Sequence, residues 1–252
     1  MDMAQGGSTM NVEALDGVTI ARLDHPQVNA LDLALLDAVV ATMRGIEGPV
    51  VLTGAGKCFS AGVDLRAILG GGREYTDDFI TALSAAFLAV FDHPAPVIAA
   101  VNGHAIAGGC VFAMAADTRV MSTGTIGLTE LAVGVPFPVT ALEICRYAMG
   151  ASITRATLQA KTLGVHEASA QGWIDEVVEQ DELIPRAVAI ARELGEHSPT
   201  AYAATKDQLH RPVHAAIKAG ADMDAQARAD WLTDETRSRI TAFVDALARN
   251  RR

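Results

Sequence analysis

Long apolar segments and positive charge are both scarce in this chain of 252 residues. No charge-free apolar stretch reaches the roughly 18 residues that a membrane-spanning helix needs. The chain has 20 lysines and arginines against 30 aspartates and glutamates, so its formal net charge is −10, and it has no basic block. Such a chain repels polyanions and anionic membrane surfaces. We therefore expect no nucleic-acid partner and no membrane partner.

Cysteine is also sparse. Cys58, Cys110 and Cys145 are odd in number and widely spaced, and they match no zinc-ligand pattern. This usage is typical of buried thiols in a reducing compartment. The N-terminus has no basic region followed by an apolar core, so no signal peptide is predicted. We expect a cytoplasmic protein whose first ten residues form a loose leader.

Several chemical motifs are missing as well. The chain has no HExxH pattern, no Walker A sequence, no G-x-G-x-x-G and no G-x-S-x-G. His210 and His214 are four residues apart, but Pro212 between them is expected to disturb the helix that would align them. We therefore predict no metal site, no bound nucleotide cofactor and no nucleophile-elbow hydrolase.

Strand and helix signals alternate through most of the chain, which predicts the α/β class. Asp16-Gly17 joins two apolar-rich segments as a hairpin, and residues 31–43 repeat at helical spacing with Asn29 as the predicted cap. From residue 181 onward nearly everything is helical. We place the core at 11–197 and a helical region at 198–252, which we expect to pack against a neighbouring subunit.

A glycine turn at residues 105–110 follows an apolar strand at 97–101 and precedes an apolar helix. This order exposes backbone N–H groups that can hold a developing negative charge. Glu130 follows as an isolated acid among apolar neighbours. Amide donors plus one half-buried carboxylate suit proton abstraction next to a carbonyl. The alternative is a close-packing turn and a surface acid.

A second turn lies at residues 57–65, where small residues precede Asp64. Its functional interpretation is another backbone N–H donor, at Val63, that faces the first turn across a pocket. Its structural interpretation is a turn capped by Asp64. Residues 70–72 are three consecutive glycines, which are flexible enough for a hinge or a mobile rim.

Six segments together resemble the enoyl-CoA hydratase/isomerase (crotonase) superfamily over almost the whole chain. They are VNALD at 28–32, FSAGVDL at 59–65, VIAAVNG at 97–103, AGGC at 107–110 followed by AD at 116–117, and GWIDEVV at 172–178. The resemblance implies a crotonase-like spiral of ββα turns. It also implies a C-terminal helical trimerisation region, and hence a homotrimer or a dimer of trimers.

The resemblance also implies roles for individual residues. The N–H groups of Val63 and Gly108 would form an oxyanion hole for an acyl-CoA thioester. Ala61, Asp64 and Leu65 would lie along the coenzyme A portion, with Arg66 beside a phosphate. No separate cofactor is implied, because coenzyme A enters as part of the substrate.

One departure from the family pattern bears on the reaction. Hydratases of this family have a glutamate directly after the Gly-Gly-Cys turn, and here that place is Val111. With Glu130 as the remaining acid, the sequence favours a Δ3,Δ2-enoyl-CoA isomerase, because one carboxylate suffices for a 1,3-proton shift. A dry pocket beside Val111 would strengthen that base.

Two alternatives to the isomerase stay open. A hydratase or another crotonase-type reaction would need a replacement acid, for which Glu143 and the Asp77-Asp78 pair are the candidates. A non-catalytic acyl-CoA-binding scaffold would need no acid. Acyl chain length is expected to depend on the pocket side chains, and the residues considered for this are Phe87, Phe91, Phe137 and Leu142.

Overall fold

The computed structural model describes residues 9–250. Residues 1–8 of the predicted leader lie outside the described residues, and the first strand begins at Met10. In chain order the strands are β1 (Met10–Leu15), β2 (Val18–Leu23), β3 (Val50–Gly54), β4 (Cys58–Ser60), β5 (Val97–Val101), β6 (His104–Ile106), β7 (Thr118–Met121), β8 (Thr125–Gly127), β9 (Thr162–Gly164) and β10 (Glu176–Val177).

Helices follow most of these strands, as the α/β prediction requires. They are α1 (Pro26–Asn29), α2 (Leu33–Gly45), α3 (Leu65–Phe91), α4 (Gly108–Met114), α5 (Glu130–Val133), α6 (Val139–Met149), α7 (Ile153–Gln159), α8 (Val165–Ala170), α9 (Leu183–Gly195), α10 (Pro199–Ala219), α11 (Ala221–Trp231) and α12 (Asp234–Asn250). Among the described residues, no helix is both long and apolar enough to cross a membrane.

The strands form two sheets within the described chain. The larger has the order β1-β2-β3-β5-β7-β10, and the smaller has the order β4-β6-β8-β9. In the larger sheet only the β1–β2 pair is antiparallel. The predicted hairpin at Asp16-Gly17 is confirmed, and both residues have the positive φ that such a turn needs. From β3 to β8 successive strands alternate between the two sheets, and β4, β6 and β8 are parallel neighbours in the smaller sheet.

The central strands of the larger sheet are buried on both faces, which is why they are continuously apolar. Val51 and Ile98 face a cluster that α9 completes with Ala187 and Ala191. The opposite face belongs to the main core, into which α2 and α3 pack. The C-terminal helices contribute Val213, Trp231 and Ile240 to this same core. The proposed division near residue 197 stays a prediction.

The predicted cap of α2 was wrong. Asp32, not Asn29, caps this helix by accepting a hydrogen bond from the Leu35 amide at 2.9 Å. Asn29 ends the preceding helix at a φ of 52°. Its side chain donates to the carbonyl of Cys58 at 2.8 Å and to that of Phe59 at 3.2 Å. Asn29 therefore ties the α1 segment to strand β4, immediately before the second glycine turn.

The structure also describes two further segments that the sequence singles out, and the hinge or mobile rim expected at residues 70–72 stays a prediction. The glycines at 70–72 lie inside α3, which is interrupted at Gly72, where φ is 77° and ψ is −168°. Pro212 lies inside a continuous α10, so the expected disturbance is wrong. His214 and His210 there both face Asp92, at 2.9 and 3.8 Å from its Oδ1. Among the described residues, no group of three or more His, Cys, Asp or Glu side chains is arranged to hold a metal ion.

Candidate active site

The two glycine turns lie in direct contact. They follow β4 and β6, which are parallel neighbours in the smaller sheet. Gly62 has a φ of 81°, and a Cβ atom there would lie 2.6 Å from the Ile106 carbonyl oxygen and 3.4 Å from the Gly108 nitrogen. Glycine is therefore required at position 62 for both its conformation and its close packing. This packing places the backbone before Val63 next to the start of α4.

The N–H groups of Val63 and Gly108 are both available to a ligand. Within residues 9–250 neither group donates to a protein acceptor. Gly108 is the first residue of α4, where N–H groups have no intrahelical partner. Ala107 before it adopts the uncommon dihedral angles φ 51° and ψ −120°. Val63 and Gly108 line the same cavity. Two adjacent donors of this kind can stabilise a negative oxygen atom.

Glu130 opens the short helix α5 directly beyond strand β8, which pairs in parallel with β6. Its side chain is buried, and within the described chain its Oε2 atom has no hydrogen-bond partner. Burial raises the pKa of this carboxyl from 4.5 to about 8, against smaller opposing effects of the Glu130 and Thr129 backbone amides. In its ionised form such a carboxylate is a stronger base than an ordinary glutamate, and its ionised fraction grows as the pH rises towards 8.

One cavity of about 490 Å³ collects the predicted site residues. All of them line it: Ala61, Val63, Asp64, Leu65, Arg66, Gly108, Val111 and Glu130. Leu83, Phe87 and Val133 line it too, so much of its wall is apolar. The individual roles assigned to these residues stay predictions. The structure shows that these residues come together from separate parts of the chain.

The carboxylates that line this cavity in the described chain are those of Asp64 and Glu130. Asp64 is occupied as a helix cap, because its Oδ1 accepts hydrogen bonds from the amides of Arg66 and Ala67 at 2.9 and 3.0 Å. Glu130, which is buried and has no partner for its Oε2 atom in the described chain, is therefore the better candidate for a base.

The replacement acids named for a hydratase do not line the cavity. Glu143 pairs with Arg146 on the same helix at 3.1 Å. Asp77 pairs with Arg228 at 2.8 Å, and Asp78 is exposed. The suggestion that one of them supplies a second catalytic acid is therefore not supported by their positions.

Sequence reasoning missed the wall that the C-terminal helices contribute. Trp231 of α11 lines the cavity and donates from its indole nitrogen to the Pro136 carbonyl at 2.9 Å. Phe243, Val244 and Leu247 of α12 also line it. Together with Ile240 these α12 residues recur at helical spacing, a signal that marks an apolar face but not what the face covers.

Of the four side chains considered for acyl chain length, Phe87 lines the cavity. Phe91 instead stacks on His210 with ring centroids 3.5 Å apart. Phe137 and Leu142 pack against the main core, and neither belongs to the cavity wall.

The comparison with family models decides the classification. The model for enoyl-CoA hydratase/isomerase matches residues 13–250, which is nearly the whole described chain. The chain belongs to this family. The resemblance of the motifs is thereby confirmed, and so is the crotonase-like fold.

Relatives within the enoyl-CoA hydratase/isomerase family carry both names. A probable enoyl-CoA hydratase of Mycobacterium leprae is 26% identical over 249 residues, covering 95% of this chain and 96% of its own. The structure of an enoyl-CoA isomerase of Mycobacterium tuberculosis is 31% identical, with a TM-score of 0.79 over 87% of this chain and 98% of its own. Human mitochondrial Δ3-Δ2-enoyl-CoA isomerase, at 23% identity, has a TM-score of 0.89 over 96% of this chain and 99% of its own, which is a likeness of fold.

Proposed function

We propose that this enzyme moves the double bond of a 3-enoyl-CoA to the 2-position with Glu130 as the single proton carrier. The observation that supports this most strongly is the carboxylate inventory of the cavity. Glu130 is buried there and its Oε2 atom has no hydrogen-bond partner within residues 9–250, while Asp64 is engaged as a cap. A 1,3-proton transfer needs one base that becomes the acid, whereas adding water to a double bond uses two carboxylates in this family.

The reaction divides into two proton transfers. The Glu130 carboxylate takes a proton from C2, and the electron pair of that C–H bond moves into the thioester carbonyl. The resulting enolate oxygen accepts hydrogen bonds from the N–H groups of Val63 and Gly108. The electrons then return to form the C2–C3 double bond, while the former C3–C4 double bond takes the proton from Glu130 at C4. Glu130 ends as a carboxylate, ready for another turnover.

The apolar surroundings support both the base and the choice of substrate. Val111 and Phe87 are fully buried, and they line the cavity with Leu83. Such walls exclude water, and water would compete for the enolate and weaken the base. They also offer an acyl chain no polar partner, which favours a plain hydrocarbon chain over a hydroxylated or charged one.

The coenzyme A portion is proposed to leave the cavity beside Arg66. Arg66 is an exposed side chain that lines the cavity. A local cation there would offset the net charge of −10 that opposes a phosphorylated ligand. We further propose a homotrimer or a dimer of trimers, which the mass of the native protein in solution would test.

Hydration of a 2-enoyl-CoA is the second candidate, favoured by the hydratase names of relatives such as the M. leprae protein. The test is a parallel assay of the purified protein on 3-hexenoyl-CoA and crotonyl-CoA. Wild type is compared with Glu130→Gln and with the control Glu143→Gln, whose site lies on α6 outside the cavity. Isomerisation that Glu130→Gln abolishes and Glu143→Gln retains supports the proposal.

Fast hydration of crotonyl-CoA with slow isomerisation would refute it in favour of the hydratase. Turnover that survives Glu130→Gln would refute the assignment of the base. Binding of acyl-CoA without turnover of either substrate would favour the scaffold.

A further inference from the structure

Two hydrogen bonds between distant parts of the chain flank the interruption of α3 at Gly72 and join α3 to the C-terminal helices. The helical segment before it, residues 65–71, ends there and leaves carbonyl groups without intrahelical donors. Arg237 of α12 donates from Nη2 to one of them, the Leu69 oxygen, at 2.6 Å. A guanidinium at such an end satisfies a carbonyl and interacts favourably with the helix dipole.

A reciprocal bond runs in the opposite direction. Arg73, the first residue after the interruption, donates from Nη1 to the Leu232 carbonyl at 2.7 Å. Leu232 is the cap residue at the C-terminal end of α11. Arg237 of α12 thus caps the first segment of α3, and Arg73 of α3 caps the end of α11. We call the pair Arg73 and Arg237 the arginine clamp.

The arginine clamp joins two walls of the active-site cavity. The segment 65–71 begins directly after the Val63 turn and contributes Leu65 to the cavity. The α11–α12 unit contributes Trp231 and Phe243 to the same cavity. Neither arginine lines that cavity. Any effect of the clamp on a ligand must therefore act through the position of the walls.

A second cavity, of about 310 Å³, lies between these walls on the side of the clamp. It is lined by Leu69, Gly72 and Arg73 of α3, by Trp231 at the end of α11, and by Arg237. Empty space at this position gives the walls room to shift if the two bonds are lost. A ligand chain held at the Val63 turn would then meet a wall at a different distance.

We propose that Arg73 and Arg237 are positioning residues that fix the α11–α12 wall relative to the Val63 turn and thereby set the preference for longer acyl chains. The proposal rests on the proposed function only in that an acyl-CoA occupies the cavity. A short acyl group is held near the turn, while each further methylene depends on the apolar wall for its burial.

The experiment measures binding of butyryl-CoA and octanoyl-CoA, which are saturated and cannot isomerise. Arg237→Met and Arg73→Met keep the aliphatic stem and remove the donors. Arg228→Met is the matched control. Arg228 also joins α11 to α3, through Asp77 at 2.8 Å and Thr81 at 2.9 Å, but on the far side of Gly72. All three side chains lie at the surface or are partly exposed, so the variants are expected to fold.

We expect the affinity advantage of octanoyl-CoA over butyryl-CoA to fall about tenfold in Arg237→Met, the equivalent of losing the burial of about two methylenes. Arg73→Met should act in the same direction, Arg228→Met should leave the ratio unchanged, and Arg237→Lys should restore part of it. Hydrogen exchange of residues 65–71 should quicken in Arg237→Met and not in Arg228→Met. The ratio of the two affinities does not depend on the fraction of folded protein. A purely structural role of the arginines would therefore leave this ratio unchanged.

Three results would overturn the clamp: equal weakening for both ligands, an equal shift in Arg228→Met, or unaltered hydrogen exchange at residues 65–71. Absence of binding in the wild type would also overturn it as a selectivity device. Absence of isomerisation alone would refute the proposed function and leave the clamp standing, because neither ligand undergoes that reaction.

Discussion

Burial of Glu130 should make the stability of this protein depend on pH in an unusual direction. The pKa of this carboxyl is raised from 4.5 to about 8, with desolvation as the main cause. Between these values the folded state keeps a proton that the unfolded state has lost. The free energy of unfolding therefore falls as pH rises through this window, whereas an ordinary ion-paired carboxylate has the opposite effect.

The size of this effect follows from the pKa shift. At about 1.36 kcal/mol per pKa unit, full ionisation of Glu130 in the folded state costs about 5 kcal/mol. Glu130→Gln removes the ionisation and keeps the shape of the side chain. We expect the variant to match the wild type near pH 5 within about 1 kcal/mol, and to exceed its stability at pH 9 by about 4 kcal/mol.

Urea unfolding of both proteins at pH 5, 7 and 9, at one protein concentration, measures this difference. Glu143→Gln serves as the control, because Glu143 pairs with Arg146 outside the cavity. Its difference from wild type should not grow in the same way. A Glu130→Gln difference that stays constant from pH 5 to pH 9 would refute the argument, since it would mean that the carboxyl ionises as it does in water.

Three other substitutions, two of them with a companion variant, test the packing and hydrogen bonding of the fold. Gly62→Ala should lower kcat about 100-fold by separating the two donors, whereas Gly172→Ala, also at positive φ but in open space, should leave kcat within about twofold. Asn29→Ala should lower the unfolding free energy by about 2 kcal/mol, because it leaves buried carbonyls without a donor. Lys206→Met should lower it by about 3 kcal/mol because it removes the charge partner of the partly buried Asp117 and leaves that carboxylate with the Val97 amide as a donor, and the added change Asp117→Asn should recover part of that loss. Enzyme assays check the first pair and urea unfolding the other two; equal kcat values for the two glycine variants, or unchanged midpoints, would contradict these expectations.

Local chemistry explains why the centre of the fold was predictable. A parallel strand that is buried on both faces is mostly apolar, so β3 and β5 could be predicted from the sequence. A positive φ at Asp16 and Gly17 is what the hairpin dipeptide encodes. The functional interpretation of the two glycine turns already placed Val63 opposite the first turn, and the family resemblance added the other site residues, although no pattern within either segment requires that residues 63 and 108 meet.

What could not be predicted depends on contacts between distant segments. The helical spacing at Phe243 and Leu247 marks an apolar face, but nothing local says that this face closes the cavity. Pro212 is tolerated within α10, although its effect on a helix interior is normally disruptive. The cap of α2 was difficult to predict, because asparagine and aspartate are both favourable N-cap residues and Asn29 and Asp32 both lie near the start of the helix. Asn29 was instead needed to bind the β4 carbonyls.

The most direct test of the single-carboxylate mechanism follows the proton itself. The wild type would be given 3-hexenoyl-CoA carrying deuterium at both C2 positions in ordinary water, with Glu130→Gln as the control for spontaneous exchange. A buried carboxyl whose Oε2 atom has no partner in the described chain should return the removed deuteron to C4, so most of the 2-hexenoyl-CoA product should keep the mass of the substrate. Product that is one mass unit lighter, with ordinary hydrogen at C4, would contradict the account, because the hydrogen at C4 would then originate in water and not in the C2–D bond that Glu130 breaks.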